Sequence, residues 1–368
     1  MAKSLYLLAL AFIASSEVVY GIEEWTIGNF TKQDAVNPVM GPRDNTTFFC
    51  PVRQEIVNWE KKDVFNPTAL VRDGKIHMLY RAEDEVGAFK GTSRIGLAVS
   101  TDGFTFEREE EPIFYPDNDD ANIYEWEGGC EDPRIVELNG TYYLTYTGYD
   151  GELARLMVAT SFDLRNWTKH GLVFGKANNG SYENMWSKSG AVVTTLQDEK
   201  FVATQINGKF WMYFGESNIY AATSEDLINW TPVVDPNEES EDEYKLLPIF
   251  GPREGRFDSD IVEPGPQAII REEGIVLIYN SRNKNPNSGG DPELPLGTYS
   301  AGQVLLNVTS PTQLIGRTEN YFITPDRDYE IIGQVNNVVF VEGLVNYKNK
   351  WHLYYGTADS KIALAVIE

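Results

Sequence analysis

One run in the sequence combines residue types and an order suited to directed acid–base chemistry: Gly128-Gly129-Cys130-Glu131-Asp132-Pro133-Arg134. Two adjacent carboxylates follow a glycine pair and precede a proline and an arginine. Glycine permits backbone conformations closed to other residues. Pro133 disfavours the helical region for the residue before it and biases Asp132 towards an extended conformation. The strand-like run Ile135-Val136-Glu137-Leu138 follows at once, which places Asp132 at the rigid entrance of a strand. A carboxylate there can be aimed at a substrate. A turn closed by a local aspartate–arginine pair would use the same residues, and the run alone leaves both readings open.

Comparable polar clusters stand at four other places. They are Phe65-Asn66-Pro67-Thr68 with Arg81-Ala82-Glu83-Asp84, and Trp186-Ser187-Lys188-Ser189-Gly190 with Gly215-Glu216. Further on come Asp260-Ile261-Val262-Glu263-Pro264-Gly265-Pro266, then Phe340-Val341-Glu342-Gly343 with Gly356-Thr357-Ala358-Asp359. Carboxylates confined in one concave site raise one another's proton affinity, so one stays protonated as an acid and another ionised as a base. That pair is the minimum equipment for glycoside hydrolysis. A charged rim around a water-filled channel is the plainer alternative. Other chemistries find less support. The three histidines, His77, His170 and His352, have no metal-ligand spacing, and His77 and His352 fall within strand patterns. No nucleophile elbow, phosphate-binding loop or dinucleotide fingerprint stands out. Asp117-Asn118-Asp119-Asp120 lacks the ordered spacing of a calcium loop and reads as a solvated loop. No cofactor or metal is implied.

These clusters need elements to bring them together, and a repeat supplies them. Five segments share one plan, a turn and then an alternating aromatic strand: Gly74–Tyr80, Gly140–Tyr146, Gly208–Phe214, Gly274–Tyr279 and Lys350–Tyr355. Their final aromatics are spaced by 66, 68, 65 and 76 residues. Three units continue with a Ser-x-Asp element, at Ser100/Asp102, Ser161/Asp163 and Ser224/Asp226, each followed by an aromatic. This reads as a tight connection in which the aspartate bonds backbone amides. Each unit has room for about four short strands, and fixed repeats of such units are the signature of a propeller. The expectation is an all-β, five-bladed β-propeller forming a single domain over residues 22–368, in which the N-terminal lead-in pairs with the last strand. Entrances to the first strands then converge on a central channel.

The formal net charge of −24 argues against nucleic acid or an anionic membrane as a partner. Lys3 and the apolar run from Leu5 to Ala14 read as a secretory signal over residues 1–21. No later stretch approaches ~20 apolar residues, so no membrane anchor is expected. Seven glycosylation triplets begin at Asn29, Asn45, Asn139, Asn166, Asn179, Asn229 and Asn307, in keeping with secretion. The acidic run from Glu238 to Glu243 reads as an exposed loop. Cys50 and Cys130 allow a disulfide or two buried thiols.

Five motifs together resemble glycoside hydrolase family 130, the β-mannoside phosphorylases and β-1,2-mannosidases. They are Phe65-Asn66-Pro67, Tyr80-Arg81-Ala82-Glu83-Asp84, Gly129-Cys130-Glu131-Asp132-Pro133-Arg134, Val262-Glu263-Pro264-Gly265-Pro266 and Tyr355-Gly356-Thr357-Ala358-Asp359. The resemblance runs from about Asp63 to Ile367 and implies a five-bladed propeller. It implies that Asp132 donates the proton to the leaving sugar. It also implies that Asn66, Arg81 and Asp359 hold a mannose at the non-reducing end, with Tyr299 a further sugar contact or an ordinary packed tyrosine. Glu131 either tunes Asp132 or pairs with an arginine. Phosphorylases of the family carry phosphate-binding cations where this chain has Phe214-Gly215-Glu216, Ile261 and Asn280. Carboxylates cannot hold phosphate but can activate water. The expectation is therefore an inverting, exo-acting β-mannosidase with a preference for β-1,2 links, Asp132 as acid and Glu216 or Glu263 as base. Lys188 and Arg155 are nearby cations, which keep a phosphorylase open. A non-catalytic glycan-binding propeller is the other alternative.

Overall fold

The computed structural model describes residues 23–237 and 244–367. The expected signal and the acidic run from Glu238 to Glu243 lie outside the described residues. The chain is all-β. Its α-helices among the described residues are two four-residue turns, Asn122–Glu125 and Asp328–Ile331.

Strand pairing proceeds in consecutive antiparallel groups. The first comprises Asp63–Arg72, Lys75–Glu83, Ser93–Ser100 and Glu107–Arg108. The second comprises Gly129–Leu138, Thr141–Tyr149, Ala154–Ser161 and Thr168–Leu172. The third pairs Ala191–Gln197 with Phe210–Phe214, then Tyr220–Ser224 and Trp230–Pro232. The fourth begins with Ile261–Pro264 and Ala268–Arg271 and continues through Gly274–Arg282, Tyr299–Asn307 and Ser310–Arg317. The last runs Val339–Tyr347, Lys350–Thr357, Lys361–Ile367, and its fourth strand is Thr31–Lys32 from the other end of the chain. Thr31 lies opposite Val366, as the lead-in was expected to.

The aromatics that carry the repeat lie within the strands Lys75–Glu83, Thr141–Tyr149, Phe210–Phe214, Gly274–Arg282 and Lys350–Thr357, and all five are buried. Burying a tyrosine hydroxyl requires a partner, and four groups meet that need in one way. Tyr80 donates to Glu60 (2.7 Å), Tyr146 to Glu125 (2.7 Å), Tyr279 to Asp258 (2.8 Å) and Tyr355 to Glu330 (2.9 Å). Each carboxylate precedes its group's first strand. Each is also paired with a cation from that group's last strand: Arg108 at 3.2 Å, Lys169 at 2.6 Å, Arg317 at 2.5 Å and Lys32 at 2.6 Å. A buried charge is tolerable only when paired and hydrogen-bonded, so the triad ties the outer strand of each group to its core. In the third group the aromatic is Phe214, which has no hydroxyl to place.

The Ser-x-Asp elements are structural, as expected. Asp163 Oδ1 accepts the amides of Arg165 and Asn166 (2.9 and 2.7 Å), and Ser161 Oγ accepts that of Leu164 (2.9 Å). Asp102 and Asp226 repeat the pattern. The Asn166 and Asn229 side-chain amides donate to Asp163 and Asp226, both at 2.7 Å. The nitrogen a glycan would need is therefore engaged at these two triplets. Cys50 and Cys130 are free and buried. Asp117 and Asp119 accept backbone amides of their own loop, and among the described residues no cluster of three metal-ligating side chains forms.

Candidate active site

The first strands carry the site, and they do so at irregularities. Pairing register slips at Phe65/Pro67, Glu131/Arg134 and Val341/Gly343, so that Asn66, Asp132 and Glu342 each sit in a bulge. Asn66 and Asp132 have φ of 44° and 46°. This corrects the expectation of an extended Asp132 at a strand entrance: the residue lies inside the strand Gly129–Leu138, in the left-handed region. The local bias from Pro133 yields to the bulge, and Asn and Asp are the side chains that visit that region most readily. Neighbours in a regular strand point to opposite faces. The bulge lets Glu131 and Asp132 both reach Arg81. Gly129 supports this arrangement at φ 116°, where a Cβ would stand 2.2 Å from the Ser93 carbonyl oxygen on the first group.

A cavity of about 100 Å³ is lined by Asn66, Arg81, Asp132, Lys188, Glu216, Glu263, Tyr299, Val338, Phe340 and Asp359. The site residues expected from the sequence thus come together, with one exception. Glu131 stands behind Arg81 rather than on the cavity wall. A larger concavity, about 1120 Å³, lies elsewhere, around Tyr115, Tyr124 and Trp167.

Arg81 organises the acidic side. Its Nη1 donates to Asp132 (3.1 Å), its Nη2 to Glu131 (2.9 Å) and Glu83 (2.8 Å), and its Nε to Ser93 (2.9 Å). Asn66 Nδ2 gives Asp132 a second bond at 3.0 Å. Burial works to raise Asp132, but Arg81, Lys188 and the Asn66 bond outweigh it and hold its carboxyl at about 2. Burial, only partly offset by Arg81, pushes Glu131 and Asp359 each up to about 7. In the sugar-free site near neutral pH the proton therefore rests on these neighbours and not on Asp132.

Arg134 does not close a local turn on the Asp132 carboxylate. Its donors reach the Asp132 carbonyl (3.2 Å) and, across the centre, those of Pro264 and Gly265 (both 2.7 Å), and it stands 2.9 Å from Glu342. Arg134 thus joins the first strands of the second, fourth and fifth groups, and it removes the plain-turn alternative. Glu342 is fully buried, and burial, partly offset by Arg134, drives its carboxyl well up.

Glu216 and Glu263 face Lys188. Trp186 Nε1 donates to Glu216 Oε2 (2.9 Å), and Lys188 Nζ stands 3.9 Å from Oε1. Glu263 accepts from the Ser189 hydroxyl, and burial, opposed by Lys188 and reinforced by Glu216, raises its carboxyl. Burial works against the Lys188 ammonium, but the charges of Glu263, Asp132, Glu216 and Glu131 overcome it and raise it. Tyr299 lines the cavity between Arg282 and Phe340. Asn280 is structural: it donates to the Val341 carbonyl (3.0 Å) and accepts from the Val341 amide (2.7 Å). Ile261 is buried against this group of strands. Arg155, expected as a nearby cation, is turned to Asp150 (2.7 Å) and the Glu183 carbonyl (3.0 Å) and does not line the cavity.

Val338, Phe340, Ser189 and Trp186 complete the surroundings without having been assigned roles. Trp186, Ser189 and Phe340 lie within the polar clusters singled out in the sequence, and Val338 stands two residues before one of them. Six carboxylates, Glu131, Asp132, Glu216, Glu263, Glu342 and Asp359, surround three cations, Arg81, Arg134 and Lys188. Burial raises four of the six, Glu131, Glu263, Glu342 and Asp359, so the carboxylates outnumber the cations as groups rather than as charges.

A family model described as β-1,4-mannooligosaccharide phosphorylase, glycoside hydrolase family 130, matches residues 39–368. A 1,2-β-oligomannan phosphorylase of Thermoanaerobacter sp. (strain X514) is 31% identical, with 84% of this chain and 91% of that protein covered. A putative glycoside hydrolase from Parabacteroides distasonis is 48% identical with a TM-score of 0.89, covering 93% of this chain and 97% of that one. A further structure, described by the statement that the GH130 family of mannoside phosphorylases contains glycoside hydrolases that target β-1,2 mannosidic linkages in Candida mannan, is 46% identical with a TM-score of 0.90, covering 95% and 96%. The matched span contains every residue of the cavity, and the chain belongs to glycoside hydrolase family 130.

Proposed function

We propose that the protein is an inverting, exo-acting β-mannosidase that prefers β-1,2-mannosides, built as a single five-bladed propeller and secreted. The propeller reading rests on the consecutive four-strand groups, the repeated tyrosine–carboxylate–cation triad and the closing strand Thr31–Lys32. The enclosed cavity suits a terminal sugar. Secretion is supported by the apolar run from Leu5 to Ala14 and by four glycosylation triplets, at Asn29, Asn45, Asn139 and Asn179, whose asparagines are exposed.

The observation that carries the hydrolytic reading is the pair Glu216 and Glu263 beside Lys188, within a surplus of carboxylates. The cations that line the cavity, Arg81 and Lys188, already face carboxylates, so a phosphate dianion would compete with them, whereas water enters as a neutral molecule. In the proposed reaction a mannoside fills the cavity against Asn66, Arg81 and Asp359. Glu216, reachable by solvent and contacted by two donors, takes a proton from a water molecule as its oxygen attacks the anomeric carbon. The glycosidic C–O bond breaks and the leaving oxygen takes a proton from Asp132. The sugar's entry excludes water around Asp132, which favours its neutral form, and Glu131 and Asp359 are adjacent proton carriers. Glu263, buried and raised, bonds the other side of the water. One mannose leaves with inverted configuration.

The phosphorylase relatives and the Lys188 cation support a second reading, phosphorolysis to mannose 1-phosphate. The test is incubation with β-1,2-mannobiose in phosphate-free buffer, followed by proton NMR. The proposal expects mannose, appearing first as the α anomer. No turnover without phosphate, or a β anomer formed first, would overturn it.

A further inference from the structure

The turn that carries Glu216 gives this side chain little support of its own. Gly215 has φ 125°, and a Cβ there would stand 2.3 Å from the Asn218 carbonyl oxygen, so the chain reverses tightly at that point. Glutamate is long and flexible, and an unrestrained one spends little time in a single geometry. The contacts that fix it come from a different segment. Trp186 and Lys188 are two residues apart, while Ser187 between them turns away, its hydroxyl accepting the Leu156 amide at 3.0 Å. The Gly215 amide donates to the Lys188 carbonyl at 3.0 Å, which docks the two segments together. The oxygens of Glu216 are then divided: Oε2 faces the Trp186 indole N–H and Oε1 faces Lys188.

Trp186 is otherwise difficult to account for. Its neighbours Met185 and Ser187 are buried, yet its ring is 46% exposed. Packing does not explain a large apolar ring half in water at the edge of an acidic cavity.

We propose that Trp186 is a positioning residue for Glu216, its indole N–H fixing Oε2 so that Oε1 is presented to the attacking water beside Lys188. This rests on the reading of Glu216 as the base. The other ionisable groups that face Glu216 are Glu263 and Tyr299. Neither supplies the indole's contact.

The experiment is a double-mutant cycle on β-1,2-mannobiose with Trp186→Phe, Glu216→Ala and the double variant. Trp186→Phe keeps the ring and removes the donor. The expected result is a fall in kcat of about tenfold, the scale of one hydrogen bond to a charged group, with KM within about twofold (a split that marks an interaction made in the transition state). In the Glu216→Ala background the same change has no further effect. Thermal unfolding within about 2 °C of wild type shows an intact fold. A raised KM at unchanged kcat would make the ring a sugar platform and overturn the proposal, as would losses that multiply in the double variant. Wild-type turnover in Glu216→Ala alone would overturn the base reading instead.

Discussion

Asp132→Asn separates chemistry from folding more cleanly than any other change at this site. Asparagine is isosteric with aspartate and tolerates the left-handed backbone that Asp132 adopts at φ 46°. Alanine there would add backbone strain of about 1–2 kcal/mol. The carboxyl is held at about 2 against an ordinary 3.8, a difference worth about 2 kcal/mol. A lowered carboxylate contributes that stability above the ordinary range, at neutral pH, and loses it as pH falls towards 2. Arg81 keeps Glu83 and Glu131 as partners, and Glu131 is relieved of a neighbouring charge. The net cost is therefore about 1–2 kcal/mol, or about 2–3 °C in Tm for a chain of this length. Removing a general acid costs about 10²–10⁴ in rate. The assay compares β-1,2-mannobiose with an aryl mannoside whose leaving group needs no proton. The variant is expected to lose at least about 10²-fold on mannobiose and far less on the aryl substrate. An equal loss on both, or retained activity on mannobiose, would refute the role of Asp132.

Two further outcomes follow from burial. Lys169→Met leaves Glu125 buried without its cation; a cost of about 3 kcal/mol, read as about 4 °C in Tm, is expected in calorimetry, and an unchanged Tm would show that the triad is not stabilising. Burial raises Asp63 to about 6 and Glu131 and Asp359 to about 7. The folded state then binds protons that the unfolded state has released, so stability falls as pH rises from about 4 to 7. Backbone amides around Asp102 lower its carboxyl to about 2, which removes stability below pH ~4. Thermal unfolding across pH is expected to peak near pH ~4, and a maximum at pH ~8 would contradict these protonation states.

The strand plan was legible because its signal is local: an aromatic at a fixed place in every unit, buried each time for the same reason. The carboxylate that satisfies each tyrosine was not legible. Glu60 and Asp258 sit in irregular segments and Glu125 and Glu330 in four-residue helical turns, and their cations arrive from strands closed by the rest of the sheet. The cavity residues were visible as motifs, yet their conformation was not. Pro133 carries a local bias, and pairing between Gly129–Leu138 and Thr141–Tyr149 overrides it with a bulge. Arg155 and Lys188 look alike as cations in the sequence. Only the packing shows Arg155 spent on Asp150 and Lys188 facing the glutamates.

The central claim is that this cavity works with water. Incubating the enzyme with β-1,2-mannobiose, with and without inorganic phosphate, and quantifying mannose and mannose 1-phosphate tests it most directly. Mannose is expected at the same rate in both, with no mannose 1-phosphate. Mannose 1-phosphate formed only when phosphate is present would contradict it.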